Sequence, residues 1–125
     1  MIAYKNLMQA ALFSYEAEEG MIAIVETQLK ALNIADGRAC APKTVYRGKG
    51  CSVCGMTGYK GRMGIYELLE VNGGIKKIIA GERFDLAGLR EEVRKAGMKT
   101  MFEDGLGKVQ VGLTTLEEVL RVIRE

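Results

Sequence analysis

The chain has no histidine and no tryptophan, a single proline and only three cysteines among 125 residues. Each shortage excludes something. Without histidine there is no Ser-His triad, no imidazole general base and no imidazole metal ligand. A small, odd cysteine count does not build a disulfide framework. With no recognisable secretion signal, it points to a reducing compartment. Residues 1–13 are apolar around a single Lys5, but they lack the dense apolar centre and small-residue cleavage site of a signal peptide. Charges or glycines interrupt every apolar run, so none is long enough to span a bilayer. Neither charge sign dominates: 18 Lys and Arg stand against 16 Asp and Glu, a net +2. Both signs are interspersed, unlike the clustered basic footprint of a nucleic-acid binder. No G-x-x-x-x-G-K-[ST] run occurs either. Gly48-Lys49 is followed by Gly50, so no hydroxyl is placed to hold Mg²⁺ beside a phosphate.

What remains is ordinary for a soluble globular domain: 48% apolar and 27% charged residues. The length is enough to bury a core without a metal. Tyr4, Leu7, Met8, Ala11, Leu12 and Tyr15 recur at helical spacing, which predicts an amphipathic helix over 2–18 ending at Gly20. Met21, Ile24, Val25, Leu29 and Leu32 repeat the pattern over 21–33. Asp36-Gly37 and Pro42 mark a loop. Thr44–Arg47 is β-like, and Met63–Val71 reads as a buried strand. The two are expected to form a small antiparallel hairpin around a glycine-rich turn at 48–62. Short helices are then predicted over 75–80, 86–96 behind an Asp85 N-cap, and 100–111 behind Thr100. A last helix follows the capping box Thr114-Thr-Leu-Glu117.

The glycine-rich turn holds Cys51 and Cys54 at C-x-x-C spacing. Such a turn brings two thiolates together and aims backbone N–H groups at them, so it supplies half of a tetrahedral zinc site. Cys40 is the candidate third ligand. Asp36, a water or a second chain could be the fourth. Four readings stand: a vestigial turn, a zinc site within one chain, a zinc site shared by two chains, and a redox dithiol. The last lacks the strand-to-helix setting of thioredoxin-type pairs. Arg62 could reach a carboxylate or phosphate of a neighbouring subunit. The blander expectation is a local ion pair with Glu67 or Asp104. Glu67 is expected to be exposed or paired, and Glu117 and Glu118 to suit the dipole of the last helix. The methionines are core filler or the lining of a partner groove.

The run Gly50-Cys-x-x-Cys54-x-x-Thr57-Gly-Tyr-x-Gly-Arg62-x-Gly-Ile-Tyr-Glu67 resembles the C-terminal region of type II secretion and type IV pilus-assembly ATPases. So does the tail: Gly97-Met-x-Thr100, Asp104-Gly105, Lys108-Val109, Gly112-x-Thr114-Thr115, Glu117-Glu118-Val119 and Arg121-Val122. The resemblance covers roughly residues 44–125. It implies a relative of hexameric cytoplasmic motors that drive filament assembly at the inner membrane. In those proteins a small metal-binding subdomain precedes a helical one, and two C-x-x-C pairs hold zinc. Cys51 and Cys54 correspond to the second pair. Residues 1–39 contain no cysteine, so the first pair is missing.

The expected fold is therefore α+β and mainly α: a β-hairpin zinc-knuckle element followed by a C-terminal helical bundle. Its parts are a helical arm or hairpin at 1–43, the knuckle at 44–71 and a helical subdomain at 72–125. The expected function is a non-catalytic module of a secretion or pilus-assembly ATPase, without an ATP site of its own. Its partners would be the ATPase core, neighbouring subunits of a hexamer and inner-membrane platform proteins. No nucleic acid is expected, and membrane association only through those partners, on the cytoplasmic side. The alternative is an independent small metal- or redox-binding C-x-x-C protein.

Overall fold

The computed structural model describes residues 2–7, 12–32, 41–81 and 84–123, the side chains of 2–15 excepted. Cys40, Asp36 and Gly37 lie outside the described residues. The element order is β1 (Ile2–Leu7), β2 (Leu12–Glu16), α1 (Glu19–Ala31), β3 (Thr44–Gly48), β4 (Tyr59–Ile65), α2 (Gly73–Ile79), α3 (Leu86–Lys95), α4 (Met101–Gln110) and α5 (Leu116–Ile123). A short 3-10 turn at Ser52–Cys54 stands between β3 and β4. The chain is thus α+β with more helix than strand. No helix among the described residues is long and apolar enough to cross a membrane.

The helix expected over 2–18 is not there. Two strands take its place. β1 pairs antiparallel with β4, from Ile2↔Ile65 to Leu7↔Tyr59, with a bulge between Lys5 and Leu7. β2 pairs antiparallel with β3, from Leu12↔Gly48 to Glu16↔Thr44. Ile2/Tyr4 and Phe13/Tyr15 also fit a period of two, and β-branched and aromatic residues favour strands. The backbones of β3 and β4 need hydrogen-bond partners, and this N-terminal segment supplies them. A short isolated helix has no comparable source of stability.

The pairing corrects a second expectation. β3 and β4 do not pair with each other as a hairpin; each belongs to its own two-stranded sheet. Residues 49–58 are an excursion between two ladders that follow one another along the same pair of chain segments. The strand also stops at Ile65 rather than Val71. Leu68, Leu69 and Val71 lie beyond it, exposed and outside any strand.

The helices follow their local signals. Asn72 caps α2, Asp85 caps α3, and Thr100 with Glu103 forms a reciprocal capping box on α4. The cap of α5 falls one residue later than expected: Glu118 N–H donates to Thr115 Oγ1 at 3.2 Å. The Glu118 carboxylate accepts from Arg121 through Nε and an Nη, at 3.0 and 2.9 Å.

The core joins four elements. Val25 and Leu29 of α1, Val45 of β3, Phe102, Leu106 and Val109 of α4, and Leu116 and Val119 of α5 form one buried cluster. Ile65 of β4 and Val122 of α5 form a smaller one beside Met63 and Met101. Helices α4 and α5 approach closely at Gly105, where a Cβ would lie 2.8 Å from Val119 Cγ1. Helices α2 and α3 pack on each other and contribute to neither cluster.

Candidate functional site: the cysteine knuckle

The excursion is pinched at its base by glycine backbones. A Cβ on Gly48 would lie 2.5 Å from the Gly58 carbonyl oxygen, and one on Gly58 would lie 2.6 Å from that of Gly48. One step further out, a Cβ on Gly50 would meet the Met56 carbonyl oxygen at 2.5 Å. No side chain fits between these strands of backbone, so glycine is required for contact and not only for turning. Beyond the neck the chain makes its 3-10 turn and reverses through Gly55 and Met56, both left-handed at φ 61° and 63°. A residue as bulky as methionine rarely adopts that conformation unless its surroundings enforce it.

This geometry brings Cys51 and Cys54 together with their sulfurs 3.6 Å apart. Cys51 N–H donates to Cys54 Sγ at 3.1 Å, and Gly58 N–H does so at 3.3 Å. Burial pushes the Cys54 thiol up, but those two backbone donors, with the Cys51 and Thr57 side chains, outweigh it. They lower its pKa from 9.0 to about 7. The sign follows. Because the folded value is the depressed one, folding favours the thiolate, and the stability it adds is fully present only above the unfolded pKa. That contribution shrinks as pH falls and is gone below about 7. Cys54 is expected to react with iodoacetamide well below the pH at which a free thiol does, its rate levelling off above about pH 7. Mass-spectrometric alkylation against pH checks this; a midpoint at the free-thiol value would remove the thiolate.

The knuckle is tied to the helices behind it. Tyr59 Oη and Thr115 Oγ1 share a 2.7 Å hydrogen bond, and burial raises the Tyr59 phenol above its usual range. Arg47 reaches Glu117 at 2.7 Å, but both side chains are about half exposed, so this pair adds little. Just past the knuckle, Lys108 Nζ donates to the Gly64 carbonyl at 3.0 Å and pairs with Asp104. Tyr66 N–H donates to Asp104 Oδ2 at 3.0 Å, and Met101 N–H donates to Glu67 Oε2 at 3.1 Å. Glu67 and Asp104 are therefore engaged with α4 and with the segment beside it. Arg62, expected to pair with one of them, is exposed and forms no ion pair among the described residues. Apart from the i,i+4 pair of Asp104 and Lys108 on α4, these ties join segments distant in sequence, and no local pattern announces them.

As a metal site the knuckle is an edge without a face. Zn–S bonds of about 2.3 Å make the edge of a thiolate tetrahedron about 3.8 Å long. The observed 3.6 Å fits that edge. Among the described residues, no third Cys, His, Asp or Glu joins the pair in a group able to hold a metal.

The sequence matches the family described as type II/IV secretion system protein over residues 7–121. The chain belongs to this family. The type IV pilus assembly ATPase PilB of Thermus thermophilus is 52% identical over 77 residues, which are 61% of this chain and 8% of that protein. The type II secretion system protein HxcR of Pseudomonas aeruginosa is 45% identical over 80 residues, 64% of this chain and 17% of that one. The type II secretion system ATPase E of Vibrio cholerae is 37% identical over 100 residues, 80% of this chain and 20% of that one. The chain thus spans a fifth or less of the length of these relatives.

Proposed function

We propose that the chain is a non-catalytic assembly module of a secretion or pilus-assembly ATPase. It packs against the ATPase core and its neighbouring subunits, and so supports a hexamer on the cytoplasmic side of the inner membrane. The observation that carries this reading is a set of exposed large apolar side chains between the end of β4 and the start of α3. Leu68 is 78% exposed, and Leu69, Val71, Ile79, Phe84 and Leu86 are also exposed on the 66–72 segment, α2 and the approach to α3. Beside it lies a groove of about 380 Å³ lined by Leu69, Leu89, Val93, Met98 and Met101. Large apolar residues grouped this way on a small domain mark an interaction surface. Two methionines in the groove suit an adaptable contact. The absence of histidine and of a phosphate-binding loop from the sequence supports a non-catalytic role.

The test uses the Thermus pilus assembly ATPase shortened by its matching region, with this chain supplied separately. Gel filtration with light scattering is expected to show co-elution with a hexameric core, and Leu68→Asp to abolish it. The chain alone is expected to release phosphate from ATP only at the buffer rate. Turnover above that rate, or no association with the core, would overturn the proposal.

A further inference from the structure

A structural zinc site takes four protein donors. Among the described residues, no third Cys, His, Asp or Glu joins Cys51 and Cys54. This lining does not fit the ion, but its two sulfurs fit a bond to each other. Cys51 caps the 3-10 turn Ser52–Cys54, so the two cysteines are the first and fourth residues of one turn. Gly55 N–H donates to the Ser52 carbonyl at 3.3 Å, and Met56 N–H donates to the Cys51 carbonyl at 2.9 Å, which fixes the turn. The end Cα atoms of such a turn lie within about 7 Å, close to the span that a disulfide bridges. The sulfurs are already 3.6 Å apart. Backbone contacts at Gly48, Gly50 and Gly58 hold the chain on both sides. Side-chain rotation is thus enough to bring the sulfurs to a bond length of about 2 Å. Both cysteines are partly exposed, so a small reagent can reach them.

We propose that Cys51 and Cys54 are a reversible modification site that closes to an intramolecular disulfide, with a low-molecular-weight disulfide as the oxidant. Cys54 attacks first, because its Sγ accepts from the N–H groups of Cys51 and Gly58, whereas Cys51 Sγ accepts from that of Cys54. Its thiolate attacks one sulfur of the small disulfide. A bond forms from Cys54 to that sulfur, the small S–S bond breaks, and the first small thiolate leaves. Cys51 then gives its proton to solvent and attacks Cys54 Sγ. The Cys51–Cys54 bond forms, and the second small thiolate leaves. Both leaving groups take protons from solvent, so two protein thiols are oxidised and one small disulfide is reduced to two thiols. The change reaches the neck of the knuckle. Turning Cys54 Sγ onto Cys51 draws it away from the Gly58 N–H, and a disulfide sulfur is a weak acceptor. The oxidised knuckle is therefore looser where Gly58 meets Gly48, at the base of the turn that carries the exposed Val53 and Met56. A reducing compartment suits such a pair, because disulfides formed there are transient. This inference rests on the knuckle alone and stands whether or not the chain works beside an ATPase core.

The test is oxidation of the whole reduced chain in buffers of graded glutathione and glutathione disulfide, with and without a chelator. Acid quenching, alkylation and peptide mass spectrometry read the product. The expected product has lost two alkylatable thiols together, carries a Cys51–Cys54 link, leaves Cys40 alkylatable and reverts with dithiothreitol. The oxidised fraction is expected to follow the square of the glutathione concentration, because each link releases two glutathiones. The chelator is expected to change nothing. Cys51→Ser is expected to stop with glutathione on Cys54. Hydrogen exchange is expected to show protection lost at 59–63 on oxidation of the unaltered chain, a readout that needs no variant. Glutathione retained on Cys54 of the unaltered chain, a link that includes Cys40, no link at any buffer ratio, or oxidation only after a chelator has removed a metal would each overturn the proposal.

Discussion

Phe102→Ala is expected to lower the unfolding free energy by about 3–5 kcal/mol. Phe102 is 2% exposed and belongs to the cluster that joins α1, β3, α4 and α5. Removing the ring takes its apolar area out of the core and leaves a cavity. The stiff side chains of Val25, Val45, Val109 and Val119 in the cluster cannot fill it, and how far Leu29, Leu106 and Leu116 relax into it sets where in that range the cost falls. Domains of this size are stable by about 5–15 kcal/mol, so a large share of the total would go. Urea titration is expected to show a lower midpoint with an unchanged slope. Phe102→Leu keeps most of the volume and stays measurable if the alanine variant does not fold. Phe84→Ala removes the same ring from an exposed site and is expected to stay within about 0.5 kcal/mol. Similar losses at the two positions would mean that the face of α4 is not packed as described.

That cluster shows what the sequence made legible and where it stopped. The helices from Asn72 onward were readable because their signals are local. An Asp85 or Thr100 side chain finds its backbone N–H within three residues, so the pattern and the structure are nearly the same statement. The slip at the start of α5 is instructive. Thr114 and Thr115 are adjacent and chemically equivalent, and each has a glutamate three residues on. Only the packing of buried Leu116 and Val119 decides between them.

The N-terminal segment failed for the opposite reason. Tyr4, Leu7, Met8, Ala11 and Leu12 satisfy a helical period on paper, and nothing nearby argues otherwise. What makes the segment β is hydrogen bonding to strands far along the chain, as in Ile2 with Ile65. Such pairing is not readable from one sequence. The overlong strand at Leu68–Val71 is the same error in reverse: apolar residues suggested a strand, but the ladder of β4 with β1 covers only Tyr59–Ile65. The candidate site divides along this line. Cys51 and Cys54 were legible because i, i+3 spacing alone puts two sulfurs together. The tie of Tyr59 to Thr115 was not, nor the use of Glu67 as a cap for α4, because each joins distant segments.

Gly58→Ala is expected to cost roughly 2–4 kcal/mol and to open the base of the knuckle, and Gly55→Ala separates the two causes. Both glycines are left-handed, at φ 77° and 61°, so both substitutions carry the strain of a side chain in that region, about 1–3 kcal/mol. Both also gain a few tenths of a kcal/mol from a stiffer unfolded chain. They differ in what the new methyl meets. At Gly55 nothing lies within 4 Å, whereas at Gly58 the Gly48 carbonyl oxygen would be at 2.6 Å. That obstacle is backbone, held in the β2–β3 ladder, and cannot rotate away. The steric term should therefore add about 1–3 kcal/mol at Gly58 alone. It should also act at a distance from the methyl. Moving Gly58 draws its N–H away from Cys54 Sγ and shifts Tyr59 against Thr115. Hydrogen exchange is expected to show lost protection at 45–48 and 59–63 in Gly58→Ala, and loss limited to the turn in Gly55→Ala. The alkylation midpoint of Cys54 should rise toward the free-thiol value only in Gly58→Ala, because only that change removes a donor from the sulfur. Equal costs and equal exchange patterns at the two glycines would mean that the neck is open in solution. The thiol spacing would then owe nothing to the contact of Gly48 with Gly58.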